Sequence, residues 1–229
     1  MLLFWCVSNC STPRIRYSKE ARIKIGVIDT GIARNQSKWL CRKGRVSFKE
    51  PFKSPKYGWD RQGHGENVIG LITKGLDPQK FCIVSYKVYD NDKDLALVKD
   101  FINAINMAIK AKVKVLNISM GGPSYVKKEY AAIVKALGSG MKINVAAGND
   151  SKNLNKQCDY YPACYIKTLR MSTKKAFSFH VIGAYNLKYS NYGNQIVTNF
   201  ENGRNVGIPV TSGTSQATAI FTNKMLTNL

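Results

Sequence analysis

The stretch Ile23-Lys-Ile-Gly-Val-Ile28 runs directly into the polar turn Asp29-Thr30-Gly31. Its apolar residues first alternate with other residues and then become continuous, which is typical of a buried strand. Further short apolar runs along the chain have the same character, and most are followed by turn residues such as Gly, Asn and Ser. These strand candidates are residues 81–88, 113–118, 143–147 and 177–184.

Segments with helical spacing of apolar residues lie between these strands. They are residues 63–72, 94–109 with Asp94 as the N-cap, 126–137, and a last helix that starts after Gly213. Residues 33–60 and 150–176 lack such periodicity, and we expect mostly loops there. Strands that alternate with helices predict an α/β fold, a doubly wound and mostly parallel sheet with helices on both faces.

Three polar residues follow predicted strands. Asp29, Ser119 and Asn149 each lie at or just beyond the carboxyl end of a strand candidate. Because ligands of open α/β sheets bind in the crevice at that end of the strands, we expect the three side chains to line one rim.

Composition is that of an ordinary globular protein with a strongly basic surface. The chain has 229 residues, 44% of them hydrophobic, and a net charge of +21 from 35 Lys+Arg against 14 Asp+Glu. The length suits one domain, which we expect to be monomeric. The basic residues are spread along the chain and no nucleic-acid motif is present, so a solvated basic surface is favoured over a dedicated polyanion site. No apolar run reaches transmembrane length.

The six cysteines form no C-x-x-C pair, and only two histidines are present, so no metal site is predicted. Cys158 and Cys164 bracket a short polar loop and are candidates for a local disulfide. Cys41 and Cys82 are candidates for a second disulfide. Buried free thiols in a reducing compartment are the alternative.

Residues 1–22 are interpreted as a leader or linker, and residues 23–229 as the folded domain. The first ten residues are apolar but lack the basic region of a complete signal peptide. They fit either the remnant of an export or lipoprotein signal or a disordered leader. Together with the cysteine usage, they favour an exported protein, periplasmic, secreted or lipid-anchored.

Ser215 lies in the small-residue turn Gly213-Thr214-Ser215, just before an apolar helical segment. A serine hydroxyl becomes a good nucleophile when a base lies within hydrogen-bond reach and a third group orients that base. His64 lies between two glycines at a predicted helix start, whereas His180 lies inside an apolar strand and is better explained as a packed histidine. Taken singly, Asp29 and Ser215 suit a turn and an N-cap; their joint occurrence with His64 favours catalysis.

Four ordered blocks resemble the subtilisin-type serine peptidases, the subtilases. They are Asp29-Thr30-Gly31, Gly63-His64-Gly65, Ala147-Gly148-Asn149 and Gly213-Thr214-Ser215-x-Ala217-Thr218. Flanking blocks also match, namely Asn117-Ile-Ser119-Met120-Gly121 and Ser190-Asn191-Tyr192-Gly193. The resemblance covers residues 23–221. It implies a subtilisin-like fold in a short form without a visible prodomain.

The resemblance also implies a serine endopeptidase that cleaves polypeptides through an acyl-enzyme intermediate. Ser215 would be the nucleophile, His64 the general base, and Asp29 the group that orients and stabilises the imidazole. The Asn149 side chain and the Ser215 backbone N–H would form the oxyanion hole. Substrate-binding residues would be Ser119, Met120 and Gly121, which pair with the substrate backbone, and Ala147 and Gly148, which wall the pocket before the scissile bond. The chemistry requires no cofactor; a structural calcium ion is compatible with the family, but no residues are assigned to it.

The chain departs from the family pattern next to two catalytic positions. Glu66 and Asn67 stand where threonine and histidine are usual, and Gln216 and Ala219 where methionine and proline are common. Glu66 adds a carboxylate near the base, which is expected to raise the pKa of His64. The alternative function is therefore a catalytically impaired relative that binds peptides without turnover.

Overall fold

The computed structural model describes residues 22–90, 97–172 and 176–228. Within them, seven parallel strands form one sheet in the order β2-β3-β1-β4-β5-β6-β7. The strands are β1 (Ile23–Asp29), β2 (Leu40–Ser47), β3 (Phe81–Lys87), β4 (Val115–Ile118), β5 (Lys142–Ala146), β6 (Phe179–Ala184) and β7 (Asn199–Glu201). The helices are α1 (His64–Thr73), α2 (Val98–Lys110), α3 (Lys127–Gly138), α4 (Tyr165–Ser172) and α5 (Thr214–Thr227), with short 3₁₀ helices at Arg34–Trp39 and Ala176–Ser178.

Helices cover both faces of the sheet, as the apolar runs require. On one face, Ile25 and Val27 of β1 join the core formed with Val68 and Ile72 of α1 and with α5. On the other face, Ile28 joins the larger core formed with α2 and α3. Because side chains alternate between the faces of a strand, a strand buried on both sides reads as a continuous apolar run. The predicted α/β fold is confirmed.

The order of the strands reverses beside β1. From β1 the chain passes to β2 and β3 on one side and then to β4 on the other side, with Ile28 in register with Ile118. Such a switch point opens a crevice at the carboxyl ends of the two strands. Asp29 ends β1 and Ser119 follows β4, so both lie at this crevice.

The sequence analysis predicted mostly loops for the segments that contain β2 and α4, and it assigned no element to the segment that contains β7. Strand β2 has an irregular register between Leu40 and Arg45 and exposed residues at its middle, so it lacks an apolar run. Strand β7 is only three residues long and lies at the edge of the described sheet, where it pairs with β6. Helix α4 is only eight residues long. Edge strands and short helices carry little pattern because few of their residues face the core.

Both proposed disulfides are present in the structure. Cys41–Cys82 joins β2 to β3, and Cys158–Cys164 closes a loop before α4. Residues 1–21, which include Cys6 and Cys10, lie outside the described residues, as does the predicted N-cap Asp94. In the described part of the chain, every helix is too short or too polar to cross a membrane.

Candidate active site

Asp29 and His64 form a direct pair at the crevice. Asp29 is the last residue of β1 and is fully buried. Its Oδ1 atom lies 2.7 Å from His64 Nδ1 and also accepts the Thr30 backbone N–H at 2.7 Å. A carboxylate oxygen can only accept, so Nδ1 carries the hydrogen and the Nε2 atom of neutral His64 is left with its lone pair. This is the tautomer that a general base needs.

Asp60 fixes the start of the helix that carries His64. Its Oδ1 accepts the backbone N–H groups of Gln62 and Gly63 at 2.9 and 3.1 Å, and its Oδ2 accepts that of Glu66 at 2.6 Å. Asp60 therefore satisfies N–H groups that the first turn of α1 leaves without helical partners. We did not predict this residue. An aspartate three positions before Gly63 is a sequence signal for such a cap.

Thr30 joins the end of β1 to the start of α1. Its hydroxyl donates to Asp60 Oδ1 at 3.0 Å and accepts the Gly65 N–H at 2.8 Å. Gly65 has no room for a side chain, because an added Cβ would contact the Gly31 carbonyl oxygen. The close approach holds His64 next to Asp29.

Ser215 is the second residue of α5 and lies beside the end of β4. Its hydroxyl donates to the Ser119 carbonyl at 3.3 Å, and the residue is only 8% exposed. Its place in the first turn of α5 directs the positive end of the helix dipole towards a developing negative charge.

The Asn149 carboxamide lies against the residue before Ser215. Its Oδ1 accepts both the backbone N–H and the hydroxyl of Thr214, at 3.0 and 3.1 Å. Because the oxygen is used in this way, the Nδ2 group is the one left to donate at the exposed rim. The structure thus brings Asn149 next to the N-terminus of α5.

The predicted substrate-binding segments follow two neighbouring strands. Ser119, Met120 and Gly121 come directly after β4, and Ala147 and Gly148 directly after β5. Ser119, Ala147 and Gly148 are buried, whereas Gly121 is exposed. The two segments therefore border the same part of the crevice.

Asn191 holds the loop that contains Gly148 and Asn149. Its buried side chain donates to the Ala147 carbonyl at 2.9 Å and accepts the N–H groups of Asp150 and Lys152 at 3.0 and 2.9 Å. Gly148 adopts φ +99°, where an added Cβ would collide with the Asn191 amide. The sequence block around Asn191 resembled the family pattern, but this supporting role is visible only in the structure.

A buried polar chain positions α5 over the sheet. Asn144 of β5 donates to the Thr222 hydroxyl of α5 at 2.9 Å, and Thr222 donates to Asn117 of β4 at 2.9 Å. Asn117 donates in turn to the Ser119 hydroxyl at 2.9 Å. Buried hydrogen-bonded networks of this kind fix one arrangement of the packed elements.

The unusual residues Asn67 and Gln216 are partners of each other. Asn67 is fully buried in α1, and its Oδ1 accepts from Gln216 Nε2 of α5 at 3.1 Å. Its Nδ2 donates to the carbonyls of Val206 and Pro209 at 2.8 and 2.6 Å.

Glu66, the other unusual residue near His64, accepts a hydrogen bond from Asn35 at 3.0 Å. Its expected effect on the pKa of His64 stays a prediction.

Among residues 22–90, 97–172 and 176–228, no group of three or more His, Cys, Asp or Glu side chains is arranged to hold a metal ion. The structure therefore assigns no residues to the calcium ion that the family resemblance allows.

His180, the second histidine, lies on β6 with its ring 5.2 Å from that of Phe221. Burial lowers the pKa of His180, and Lys142 contributes in the same direction.

Comparison with known proteins identifies the family of this chain. Residues 20–226 match the model of the subtilase family. The chain is 30% identical over 178 residues to subtilisin DY of Bacillus licheniformis, a match that covers 72% of this chain and 63% of that protein. It is 27% identical over 169 residues to the major intracellular serine protease of Bacillus subtilis (strain 168), covering 68% and 52%. The match therefore spans less than two thirds of these relatives.

Solved structures show the same fold. A cold-adapted subtilisin-like serine proteinase superposes with a TM-score of 0.66 at 23% identity, covering 87% of this chain and 72% of that one. A lanthipeptide protease superposes with a TM-score of 0.68 at 18% identity, covering 88% and 71%. The family match over nearly the whole described chain leads to one conclusion: this protein belongs to the subtilase family.

Proposed function

We propose that the protein is a serine endopeptidase that hydrolyses peptide bonds through Asp29, His64 and Ser215. The observation that carries the proposal is the 2.7 Å contact between Asp29 Oδ1 and His64 Nδ1. It orients the imidazole at the same edge of the sheet where α5 presents Ser215. A nucleophile, a base and a group that orients the base are the parts that acyl transfer requires.

In the proposed reaction, Ser215 Oγ attacks the scissile carbonyl carbon while its proton passes to His64 Nε2. The buried Asp29 carboxylate stabilises the imidazolium that forms. Asn149 Nδ2 and the Ser215 N–H donate to the oxyanion of the tetrahedral intermediate. His64 then gives its proton to the leaving amine, and the C–N bond breaks. Water, with His64 as base, hydrolyses the resulting ester and restores Ser215.

The substrate is a polypeptide in extended conformation. We infer that it lies along Ser119, Met120 and Gly121 as an added strand, because a peptide can pair with the backbone of an open strand end. The side chain before the scissile bond then enters between this segment and Ala147–Gly148. We further infer that a monomer acts without a cofactor in the chemistry. An exported location is supported by the two disulfides.

A fluorophosphonate probe tests the proposal, because it forms a covalent bond only with an activated serine. Wild-type protein should be labelled, whereas Ser215→Ala should not. Ser212→Ala is the matched control: Ser212 is an exposed serine near Ser215 in the sequence, and its hydroxyl hydrogen-bonds to Asn205, so its loss should leave labelling unchanged. Folded wild-type protein that is not labelled, but that binds peptides, would establish the alternative of a peptide-binding module.

A further inference from the structure

One aromatic side chain occupies the space between the two predicted substrate-binding segments. The ring of Tyr160 lies between Gly121, which follows β4, and Gly148, which follows β5. A Cβ added to Gly121 would lie 2.5 Å from the ring atoms Cε1 and Cζ. A Cβ added to Gly148 would lie 2.9 Å from Cε2 and Cζ. The two ring edges next to the hydroxyl group thus face the two glycines, Cε1 towards Gly121 and Cε2 towards Gly148.

This space is where the residue before the scissile bond must place its side chain. Its carbonyl carbon has to lie within reach of Ser215 Oγ, which is 3.3 Å from the Ser119 carbonyl. Its carbonyl oxygen has to face Asn149, whose Oδ1 is fixed 3.0 Å from the Thr214 N–H. Between Ser119 and Asn149, the side chain is directed towards the gap that Gly121 and Gly148 border, and there it meets Tyr160.

Tyr160 is held in this position by its own loop. The backbone of the next residue, Tyr161, exchanges two hydrogen bonds of 2.8 Å with Gly122. The Cys164 N–H donates to the Tyr160 carbonyl at 2.8 Å, and the disulfide Cys158–Cys164 closes the loop that contains Tyr160. Burial, and secondarily the negative charge of Asp150, raises the pKa of Tyr160 to about 12, so the phenol is neutral at physiological pH.

We propose that Tyr160 is a specificity-determining residue, which restricts the residue before the scissile bond to glycine, alanine or serine. The inference rests on the proposed function of this same site. A larger side chain would have to displace a ring that is packed on two sides and held by a closed loop. Displacing packed side chains is costly, since well-packed interiors respond to even one added methylene.

Peptide p-nitroanilides that differ only in the residue before the anilide test the proposal. We expect kcat/KM to be at least about 100-fold higher for alanine than for phenylalanine, the order of discrimination that a size-limited pocket achieves. Tyr160→Ala should lower this ratio at least about tenfold by accepting phenylalanine. Tyr160→Phe keeps the ring and removes only the hydroxyl, so it should retain the wild-type ratio.

Matched peptidyl phosphonates with alanine or phenylalanine at that position measure the same preference through covalent labelling of Ser215. Wild-type protein that prefers leucine, phenylalanine or lysine would overturn the inference, and this result needs no variant. A Tyr160→Ala protein that is labelled but keeps the wild-type preference for alanine over phenylalanine would also overturn the inference. If Tyr160→Ala does not fold, Tyr160→Leu, which also removes the ring, takes its place in the test. The substrate preference of the wild-type protein is decisive in either case. Folded wild-type protein with no labelling by either probe would overturn the proposed function, and the inference with it.

Discussion

The two ends of the Asn149 carboxamide differ in their surroundings, and we propose that only the Nδ2 end takes part in the reaction. Its Oδ1 accepts from Thr214, so Nδ2 is the group proposed to donate to the oxyanion. We expect Asn149→Ala to lower kcat about 100- to 1000-fold with little change in KM, because the lost donor acts mainly on the oxyanion. Steady-state kinetics on an alanine p-nitroanilide measures this.

Asn149→Asp is the matched variant for this prediction. It keeps an oxygen that can accept from Thr214, but it replaces the donor by a carboxylate that repels the oxyanion. Its kcat should fall at least as far as that of Asn149→Ala. A fall of less than about tenfold in both variants would show that Asn149 is not an oxyanion donor.

Glu129 is a buried carboxyl group on α3. Burial raises its pKa from 4.5 to about 7, and a hydrogen bond with Tyr165 opposes this shift only in part. Between these two values the folded protein binds more protons than the unfolded chain, so the free energy of unfolding falls as pH rises. The loss is fully developed above about pH 7 and amounts to about 3 kcal/mol.

Urea unfolding at pH 5 and pH 8, in a Ser215→Ala background that prevents self-digestion, measures this loss. Glu129→Gln should be more stable than its parent at pH 8. Its free energy of unfolding should also fall much less between pH 5 and pH 8 than that of the parent. Parallel pH profiles for parent and variant would contradict the assignment to Glu129.

At the scale of elements, Asn67 and Gln216 connect α1, which carries His64, to α5, which carries Ser215. Each side chain is buried, and Asn67 also holds the carbonyls of Val206 and Pro209. We expect Asn67→Ala to lower the free energy of unfolding by about 1–3 kcal/mol for each polar group left unsatisfied. Gln216→Ala should lower it by less, because among the described residues the Gln216 side chain makes one hydrogen bond, to Asn67.

A double-mutant cycle measures the link itself. The double variant should be more stable than the sum of the two losses predicts, by at least about 0.5 kcal/mol, because the first substitution already removes the shared bond. Fluorophosphonate labelling should slow in both single variants if the link positions His64 and Ser215. Additive stabilities with unchanged labelling rates would show that the two helices are positioned by other contacts.

The whole molecule carries a net charge of +21, which acts against the compact state. Salt shortens the Debye length from about 30 Å at 0.01 M to about 3 Å at 1 M and so screens this repulsion. We expect Tm to rise by about 2–4 °C between these conditions, the shift that about 1 kcal/mol causes at this size. Differential scanning calorimetry of the Ser215→Ala protein measures it.

The exposed pair Lys127 and Lys128 at the start of α3 supplies a control for this charge effect. Replacing both with glutamate lowers the net charge and places acidic groups at the positive end of a helix dipole. The variant should melt higher at low salt and respond less to added salt. A Tm that is constant or falls with salt in the parent would contradict the prediction.

Much of the fold could be predicted because its signals are local. Strands β1, β3, β4 and β5 are buried on both faces, so each appears as an apolar run in the sequence. Strands β2 and β7 were missed because edge strands have no such run, and α4 was missed because it is short. The polar residues Asp29, Ser119 and Asn149 were placed at one rim by a rule of sheet topology alone.

By itself, the sequence determined the α/β class and the polar residues that stand where strands end and helices begin. Both follow from short-range periodicity and turn chemistry. Only the tertiary structure decided which groups touch: Asp60 at the start of α1, Asn67 with Gln216 149 positions away, and Tyr160 between Gly121 and Gly148. These contacts depend on strand order and on how helices cross over the sheet, and no local pattern of residues encodes such distances.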